Sequence, residues 1–581
     1  MIKVSTAVVA AAALVAAVLG AYPASVAHST VATASKRHPI TQNEPTIHKM
    51  IVKLRNPTAL ELEQPLGAAR VTALSNRAGV ALQAHRAMSM GASVLRLDTP
   101  LKLSEAKAAA ARLAADPEVV YAEPDMPMHH MAVPPDSSFA LRQWNLFDPT
   151  TTFSDAGTSL AGPAKMLTPV GAMNLPGAWN ITTGSNAIVV ALIDSGVTLT
   201  HPELAAALIP GYDMVSADAG GLPTNFVAND GSGRDTDPTD PGDWITAAEK
   251  TNAATSAACD DGVAGQTDSS WHGTHMAGAI VGQWGNSGPG TSTAGIAPNV
   301  RLMPVRALGK CGGDSSDVAD AILWAAGFPT IKGAPPNPTP ARIVNMSLGG
   351  TGACSTTYTN AMATIAAQAL VIAAAGNEGV QGVDEPANCP GVLAVTAHTI
   401  NGDNADYANI GPEVGISSPG GGTPSQLHNT GEALPTDNGF YTWSSILFGA
   451  TTPTSNESNP PPGTPARSGP AIGGFTGTSG ATANVSGVAA LVLSAKPSLT
   501  PTELRNVLVT HTRPHPVGGL CSNTAAAGMC GSGLIDAAAA VASVAPPPPA
   551  SGGGGGGGAL PLAQLLLLGL FALIARERRR G

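Results

Sequence analysis

An aspartate, a histidine and a serine stand where this chain could assemble a hydrolytic centre. Asp194 closes the apolar run AIVVALID (187–194) and precedes Ser195-Gly196, a turn signal. His272 opens the glycine- and alanine-rich stretch WHGTHMAGAIVGQW (271–284). Ser479 opens a second small-residue stretch within FTGTSGATANVSGVAAL (475–491). A buried aspartate fixes a histidine's tautomer, the histidine takes the serine's proton, and the serine oxygen attacks a carbonyl carbon. Each residue alone also has an ordinary role open to it: Asp in turns, His inside helices, Ser as a helix cap.

The elements that must position them follow from the apolar pattern. Continuous apolar runs at 187–194, 300–308, 341–350, 370–377 and 391–399 predict buried strands. Residues 271–284, 314–327 and 354–369 predict helices between them. This alternation implies an α/β fold with a parallel sheet covered on both faces, whose sites lie at the carboxyl ends of the strands. Residues 420–474 are loop-rich, and Thr451 to Pro470 is expected to be an exposed insertion. Upstream, strands at 48–56 and 92–100 and a helix then strand over 104–125 predict a small α+β module.

With 581 residues the chain is long enough for a large core and more than one domain. Its net charge of -10 argues against nucleic acid as a partner. Lys3, the apolar run Val4 to Gly20 and the small residues Ser25-Val26-Ala27 read as a secretory signal, residues 1–27. Cys259, Cys311, Cys354, Cys389, Cys521 and Cys530 all lie downstream of it. An even count in an exported chain suggests disulfides, and no pair has zinc-site spacing. Several pairings remain open, of which only Cys521 with Cys530, a short local loop, is plausible unaided. At the other end, Pro546 to Pro549 and Gly552 to Gly558 form a linker, 546–558. The apolar run Ala559 to Ala575 follows, interrupted only by Gln564, and then Arg576, Arg578, Arg579 and Arg580. As a helix that run spans about 26 Å, enough for a thin bilayer core. The arginines would stay cytoplasmic and leave the rest outside.

IDSGV (193–197), HGTHMAG (272–278) and GTS (477–479), in this order, resemble the subtilisin-like serine proteases, the subtilases. HPEL (201–204), NMSLGG (345–350), AAGNE (374–378) and GSGLIDAAAAV (531–541) extend the resemblance over residues 175–545. It implies an α/β, subtilisin-like three-layer fold with a mostly parallel central sheet, preceded by a small α+β propeptide domain. It also implies that Asp194 orients, His272 is general base then acid, and Ser479 is the nucleophile. Asn377 and the Ser479 backbone N–H would bind the oxyanion. His275 becomes structural, since no glutamate completes a zinc-binding helix motif. An extended polypeptide substrate would pair with Ser347, Leu348, Gly349 and Gly350. Matching ANCPGVLAV (387–395) to the family puts Asp384 near the base of the pocket for the residue before the cut, where a carboxylate would favour Arg or Lys.

The resemblance divides the chain into a propeptide at 28–130, with its α+β core at 48–125, and a peptidase domain at 131–545. PDSSFALRQWNL (135–146) resembles a mature start. The propeptide would chaperone and inhibit its own enzyme until cut. The implied disulfides are Cys259–Cys311, Cys354–Cys389 and Cys521–Cys530. The tail at 559–581 resembles the GlyGly-CTERM sorting signal of Gram-negative bacteria. That implies signal peptidase and a rhomboid-like protease as processing partners, with surface attachment or release; a permanent anchor is the alternative. The likeness suggests a monomer. Two features need testing. Family members carry Met-Ala-x-Pro-His after the serine, where this chain has Gly480-Ala481-Thr482-Ala483-Asn484. Asp230, Asp235, Asp237, Asp240 and Asp243, set among glycines in 229–244, suit structural calcium or a solvated acidic turn. Gln143 and Glu203 resemble a further family calcium site, with Glu203 where aspartate is usual. The rival function is a catalytically silent surface protein that keeps the fold for binding. An α/β-hydrolase esterase is disfavoured by the order Asp, His, Ser.

Overall fold

The computed structural model describes residues 46–88, 91–125, 143–154, 166–216, 225–252, 255, 259, 265–285, 293–423, 441–447 and 471–545. The chain divides into two compact units, 1–129 and 130–581.

The first unit is built on four antiparallel strands: β1 (Thr46–Leu54), β2 (Leu82–Ala87), β3 (Ala92–Lys102) and β4 (Val119–Pro124), in the order β2-β3-β1-β4. In β1 the residues Met50, Val52 and Leu54 are buried while Lys49, Ile51 and Lys53 are less so, the period of a one-sided strand. After the short helix α1 (Ala59–Glu63), helices α2 (Ala68–Ala78) and α3 (Leu103–Ala114) cover that inner face. Ala106, Ala109, Ala110 and Leu113 give α3 its apolar stripe. Sequence patterning missed α2 and β2, whose polar exposed faces hide the period.

The second unit carries a nine-stranded sheet. Its strands are β5 (Val189–Asp194), β6 (Tyr212–Asp213), β7 (Arg301–Arg306), β8 (Ile343–Met346), β9 (Leu370–Ala374), β10 (Leu393–His398) and β11 (Val414–Pro419), with two short edge strands later in the chain. Their order places β8 on one side of β5 and β7 on the other, all parallel. That reversal of direction opens a crevice at the carboxyl end of β5. Val190 and Leu192 face one apolar cluster while Val189, Ala191 and Ile193 face another, so both faces are covered, as the uninterrupted run predicts.

Helices α4 (Leu175–Trp179), α5 (Ala247–Thr251), α6 (His272–Val281), α7 (Ser315–Ala325) and α8 (Thr356–Ile365) connect or cover these strands. The antiparallel hairpin β12 (Thr442–Ile446) and β13 (Ala471–Phe475) leads into α9 (Thr478–Ala495), every residue of which is buried from Thr478 to Leu493. A helix apolar or small all round belongs in a core. Gly487 lets it approach: a Cβ there would lie 2.8 Å from Ile296. Helix α10 (Pro501–Thr510), strands β14 (Thr512–Arg513) and β15 (Leu534–Ile535) and helix α11 (Ala537–Val544) close the unit.

The structure differs from expectation at two places. The predicted strand 341–350 leaves the ladder after Met346, so Ser347 to Gly350 run free of it. Residues 420–474, expected to be loop-rich, contain β12 and all but the last residue of β13; their glycines and serines carry no alternating apolar signal. Among the described residues no helix is long and apolar enough to cross a membrane. The expected signal (1–27), the insertion at 451–470, the linker (546–558) and the tail (559–581) lie outside the described residues.

Candidate active site

Asp194, fully buried, ends β5 opposite Arg306 of β7. Its Oδ1 accepts the Ser195 backbone N–H at 2.8 Å and lies 2.7 Å from His272 Nδ1. Its Oδ2 has no hydrogen-bond partner among the described residues. A buried carboxylate so sparsely bonded favours a cation beside it. His272 begins α6, and Gly273 brings that helix start onto the turn after Asp194: a Cβ at 273 would fall 2.0 Å from Gly196 O. Burial opposes the imidazolium, but the Asp194 carboxylate, with Asp243 and Asp240 farther off, outweighs it and raises the His272 pKa. This is the environment a proton acceptor needs if it is to hold the proton it takes.

Two supports were not legible in the sequence. Ser195 Oγ donates to Asp240 Oδ2 at 2.7 Å and accepts the Gly273 N–H at 3.1 Å, so Asp240 braces the first turn of α6. Burial pushes Asp240 up to about 6 against the lowering effect of its Ser195 and Gly242 hydrogen bonds. The Phe475 ring stands edge-on to His272 at 5.7 Å and also packs on His275 at 4.8 Å. Burial, then the His272 charge, lowers the His275 pKa to about 3 and keeps that ring neutral.

Ser479 is the second residue of α9 and only 6% exposed. The N–H groups of a helix's first turn lack intrahelical acceptors and carry its positive dipole end. Asn377 sits on the exposed loop after β9. Its Oδ1 accepts both the N–H and the Oγ1 hydroxyl of Thr478, the residue before Ser479, at 2.9 Å. A buried chain fixes the start of α9 to β8: Ser486 Oγ donates to Asn345 Oδ1, Asn345 Nδ2 to Ser347 Oγ, and Ser347 Oγ to Ser479 O. The Ser479 hydroxyl itself donates to Ser347 O at 3.0 Å; no hydrogen bond joins it to His272 among the described residues. Catalytic hydrogen bonds are often long or unmade before substrate arrives.

The altered segment after the serine does not disturb the helix. Ala481 N–H reaches Gly477 O, Thr482 Oγ1 donates to Thr478 O at 2.8 Å, and Asn484 Nδ2 donates to Pro419 O at 2.9 Å. At Gly480 a Cβ would meet Thr442 Oγ1 at 3.3 Å and Phe475 Cδ1 at 3.4 Å. The space behind the serine is thus filled by the β12–β13 hairpin.

A cleft of about 630 Å³ runs away from His272. Ser347, Leu348, Gly349 and Gly350 form part of its lining, with Asp243, Asp268, Tyr358 and Glu385. Gly350 departs from its expected role: its N–H donates to Glu385 O at 2.8 Å and its carbonyl accepts the Glu385 N–H at 2.9 Å. The backbone edge left for an incoming chain is therefore shorter than 347–350. Asp384 is nearly buried behind Gly349 and Gly376.

The acidic loop does not gather as a metal site. Asp230 pairs with the buried Arg306 at 2.8 Å. Asp235 accepts from Asp237 N–H and Ser232 Oγ, Asp237 from Thr239, Asp240 from Ser195 and Gly242, and Asp243 from Ser270. No three carboxylate, histidine or cysteine side chains converge to hold a metal among the described residues. Asp230 and Asp235 share the Ser232 hydroxyl, while Asp240 and Asp243 bond elsewhere, so the five carboxylates do not gather at one point. Gln143 and Glu203 are likewise engaged in structure: Gln143 bonds both backbone groups of Ala294, and Glu203 accepts the Thr293 N–H. Arg306 itself went unnoticed in the sequence, since nothing in VRLMPVRAL marks one arginine for burial. The three disulfides are Cys259–Cys311, Cys354–Cys389 and Cys521–Cys530, as the resemblance implies.

The chain as a whole is similar to known proteases. An extracellular protease of Xanthomonas campestris is 36% identical over 488 residues, covering 83% of this chain and 69% of that protein. An extracellular basic protease of Dichelobacter nodosus is 31% identical over 79% of this chain, which spans 64% of that relative's length. A solved Pseudoalteromonas arctica protease structure aligns with a TM-score of 0.55 and 37% identity, covering 71% of this chain and 100% of that one. The model of the subtilase family, Peptidase_S8, matches residues 185–533, which include Asp194, His272, Asn377 and Ser479, and the chain belongs to that family.

Proposed function

We propose that this chain is a secreted serine endopeptidase that cleaves proteins with Ser479 as nucleophile. The observation that carries this is the buried Asp194–His272 pair at 2.7 Å, set beside a serine at a helix start. In the reaction an extended polypeptide lies along Ser347 to Gly349. Its carbonyl oxygen enters between Asn377 Nδ2 and the Ser479 N–H. The Ser479 hydroxyl leaves Ser347 O, gives its proton to His272 and attacks the carbonyl carbon. Asp194 stabilises the imidazolium, which then protonates the leaving amine. Water hydrolyses the acyl-enzyme by the same steps in reverse.

Secretion accords with the disulfides and with the extracellular relatives. The α+β unit at 46–125 supports the reading of residues 28–130 as an inhibitory and chaperoning propeptide. Asp384, packed behind Gly349 of the cleft lining, supports selection of Arg or Lys before the cut. The glycine run and arginine-ended apolar segment of 546–581 support surface sorting after export. One observation favours the silent-protein reading, the bond of Ser479 Oγ to Ser347 O in place of His272. Expression of the full chain beside Ser479→Ala decides between them. The protease reading expects the wild type to shed its N-terminal region, digest casein and bind a fluorophosphonate, with casein turnover in Ser479→Ala lower by about a millionfold. A folded wild type as inert as the variant means a binding protein.

A further inference from the structure

The helix that carries His272 has no capping side chain of its own. Trp271 stands at its N-cap with a φ of 50°, and its indole offers no acceptor to the first turn. The cap comes instead from Ser195, 78 residues away. A serine hydroxyl has one proton to give. Ser195 gives it to Asp240 Oδ2 at 2.7 Å, which leaves a lone pair for the Gly273 N–H at 3.1 Å. The neighbours Asp194-Ser195 and His272-Gly273 are therefore joined twice, by that bond and by the 2.7 Å contact of Asp194 Oδ1 with His272 Nδ1. Two bonds between two residue pairs fix an angle as well as a distance. Asp240 is only 2% exposed and is itself held, since its Oδ1 accepts the Gly242 N–H at 2.9 Å. Pro238 O accepts the Val197 N–H at 3.1 Å, and a Cβ at Gly196 would fall 2.8 Å from Asp240 N. Arg306 Nε donates to Ser195 O at 3.3 Å. Residues 238–242 are thus clamped onto the turn that follows Asp194.

We propose that Asp240 is a positioning residue of the hydrolytic centre, acting through the Ser195 hydroxyl to hold the first turn of α6, and with it the His272 ring, in line with Asp194. The proposal rests on the protease reading and gives the acidic loop a part in it. Asp240 also adds charge to alignment. Burial opposes the imidazolium, and Asp194, then Asp243 and Asp240, raise the His272 pKa in spite of it. The charged groups that act on Asp240 are Asp243, which opposes its ionisation, and Arg306, which favours it. His275, one turn on in α6, is kept neutral by burial. Burial pushes Asp240 up to about 6, so it is ionised in the range where His272, raised above its ordinary value, loses its proton.

The test compares Asp240→Asn, Ser195→Ala and the double variant with the wild type, each as the full chain. Asp240→Asn keeps a side-chain oxygen and removes the charge; Ser195→Ala keeps the charge and removes the bond to Gly273. Each should lower kcat for a short peptide by about ten- to a hundredfold, with KM within about twofold. The double variant should lose little more than the worse single, since both changes break one chain of bonds. In Asp240→Asn the acid limb of kcat/KM should also move to lower pH, because a negative charge near the imidazolium is gone. In Ser195→Ala it should move less. A carboxylate that only stabilised the fold would lower the melting temperature and leave kcat and the acid limb unchanged; that result, or a loss confined to KM, overturns the proposal. Should Asp240→Asn fail to fold, wild-type kcat in Ser195→Ala overturns it. The low-field proton resonance of the Asp194–His272 bond reads the same charge without turnover, and its titration midpoint should fall in Asp240→Asn. A wild type inert towards peptide and fluorophosphonate removes the protease reading; a midpoint that still falls keeps the action of Asp240 on His272, and one that does not removes both.

Discussion

Residues 475–484 and residues 229–244 both carry side chains suited to chemistry, and the fold treats them in opposite ways. The first runs from a hairpin strand into a buried helix, and its Ser479 meets groups from β8 and the loop after β9. The second leaves the sheet and disperses its aspartates over Arg306, Ser195, Thr239 and Ser270. A reactive residue at the end of a regular element has its direction set by that element. A carboxylate in a loop bonds the nearest N–H or hydroxyl, and composition alone does not say which.

Substitutions sharpen this contrast, and the largest effects belong to the first set. Asp194→Asn should lower kcat by about ten-thousandfold, because the histidine loses its orienting carboxylate. The pH profile supplies a sign. His272 must be neutral to accept a proton, so activity rises as pH rises through its raised pKa. Without Asp194 that pKa falls, and the acid limb of residual activity should move to lower pH. Asn377→Ala should cost about a hundredfold to a thousandfold in kcat with little change in KM, the signature of a donor used only in the transition state. An equal loss in KM instead would make Asn377 a substrate-binding or structural amide.

In the second set, Arg306→Met should destabilise the fold by about 3–5 kcal/mol in denaturant unfolding, since it leaves Asp213 buried without its cation. Asp237→Asn, on the exposed surface with only Thr239 attached, should change stability by about 0.5 kcal/mol or less. Its melting temperature should stay level with that of the wild type with calcium or with a chelator. A calcium-dependent difference between the two would restore the metal reading of the loop.

The parallel α/β architecture was legible because strands buried on both faces are apolar throughout, as in 189–194 and 370–374. The hairpin over 442–446 and 471–475 was not. Its serines and glycines are chosen to fit α6 closely: a Cβ at Gly278 would lie 2.4 Å from Ser444 Oγ. Such spacing leaves no hydropathy pattern. The acidic brace Asp240–Ser195–Gly273 was hidden for a related reason, because its members lie 45 and 78 residues apart and none is unusual in its local context.

The sequence by itself determined which residue types stand at strand ends and helix starts: Asp194 after an apolar strand, His272 and Ser479 before small-residue helices. Periodicity and local turn chemistry act over a few residues and can be read there. Tertiary structure alone decided which of the acidic residues meet. It paired Asp230 with Arg306, closed Gly350 onto Glu385, and set Glu378 against Asn409. Electrostatic and hydrogen-bonding partners depend on distance in space and on burial, and neither quantity is written in the order of residues.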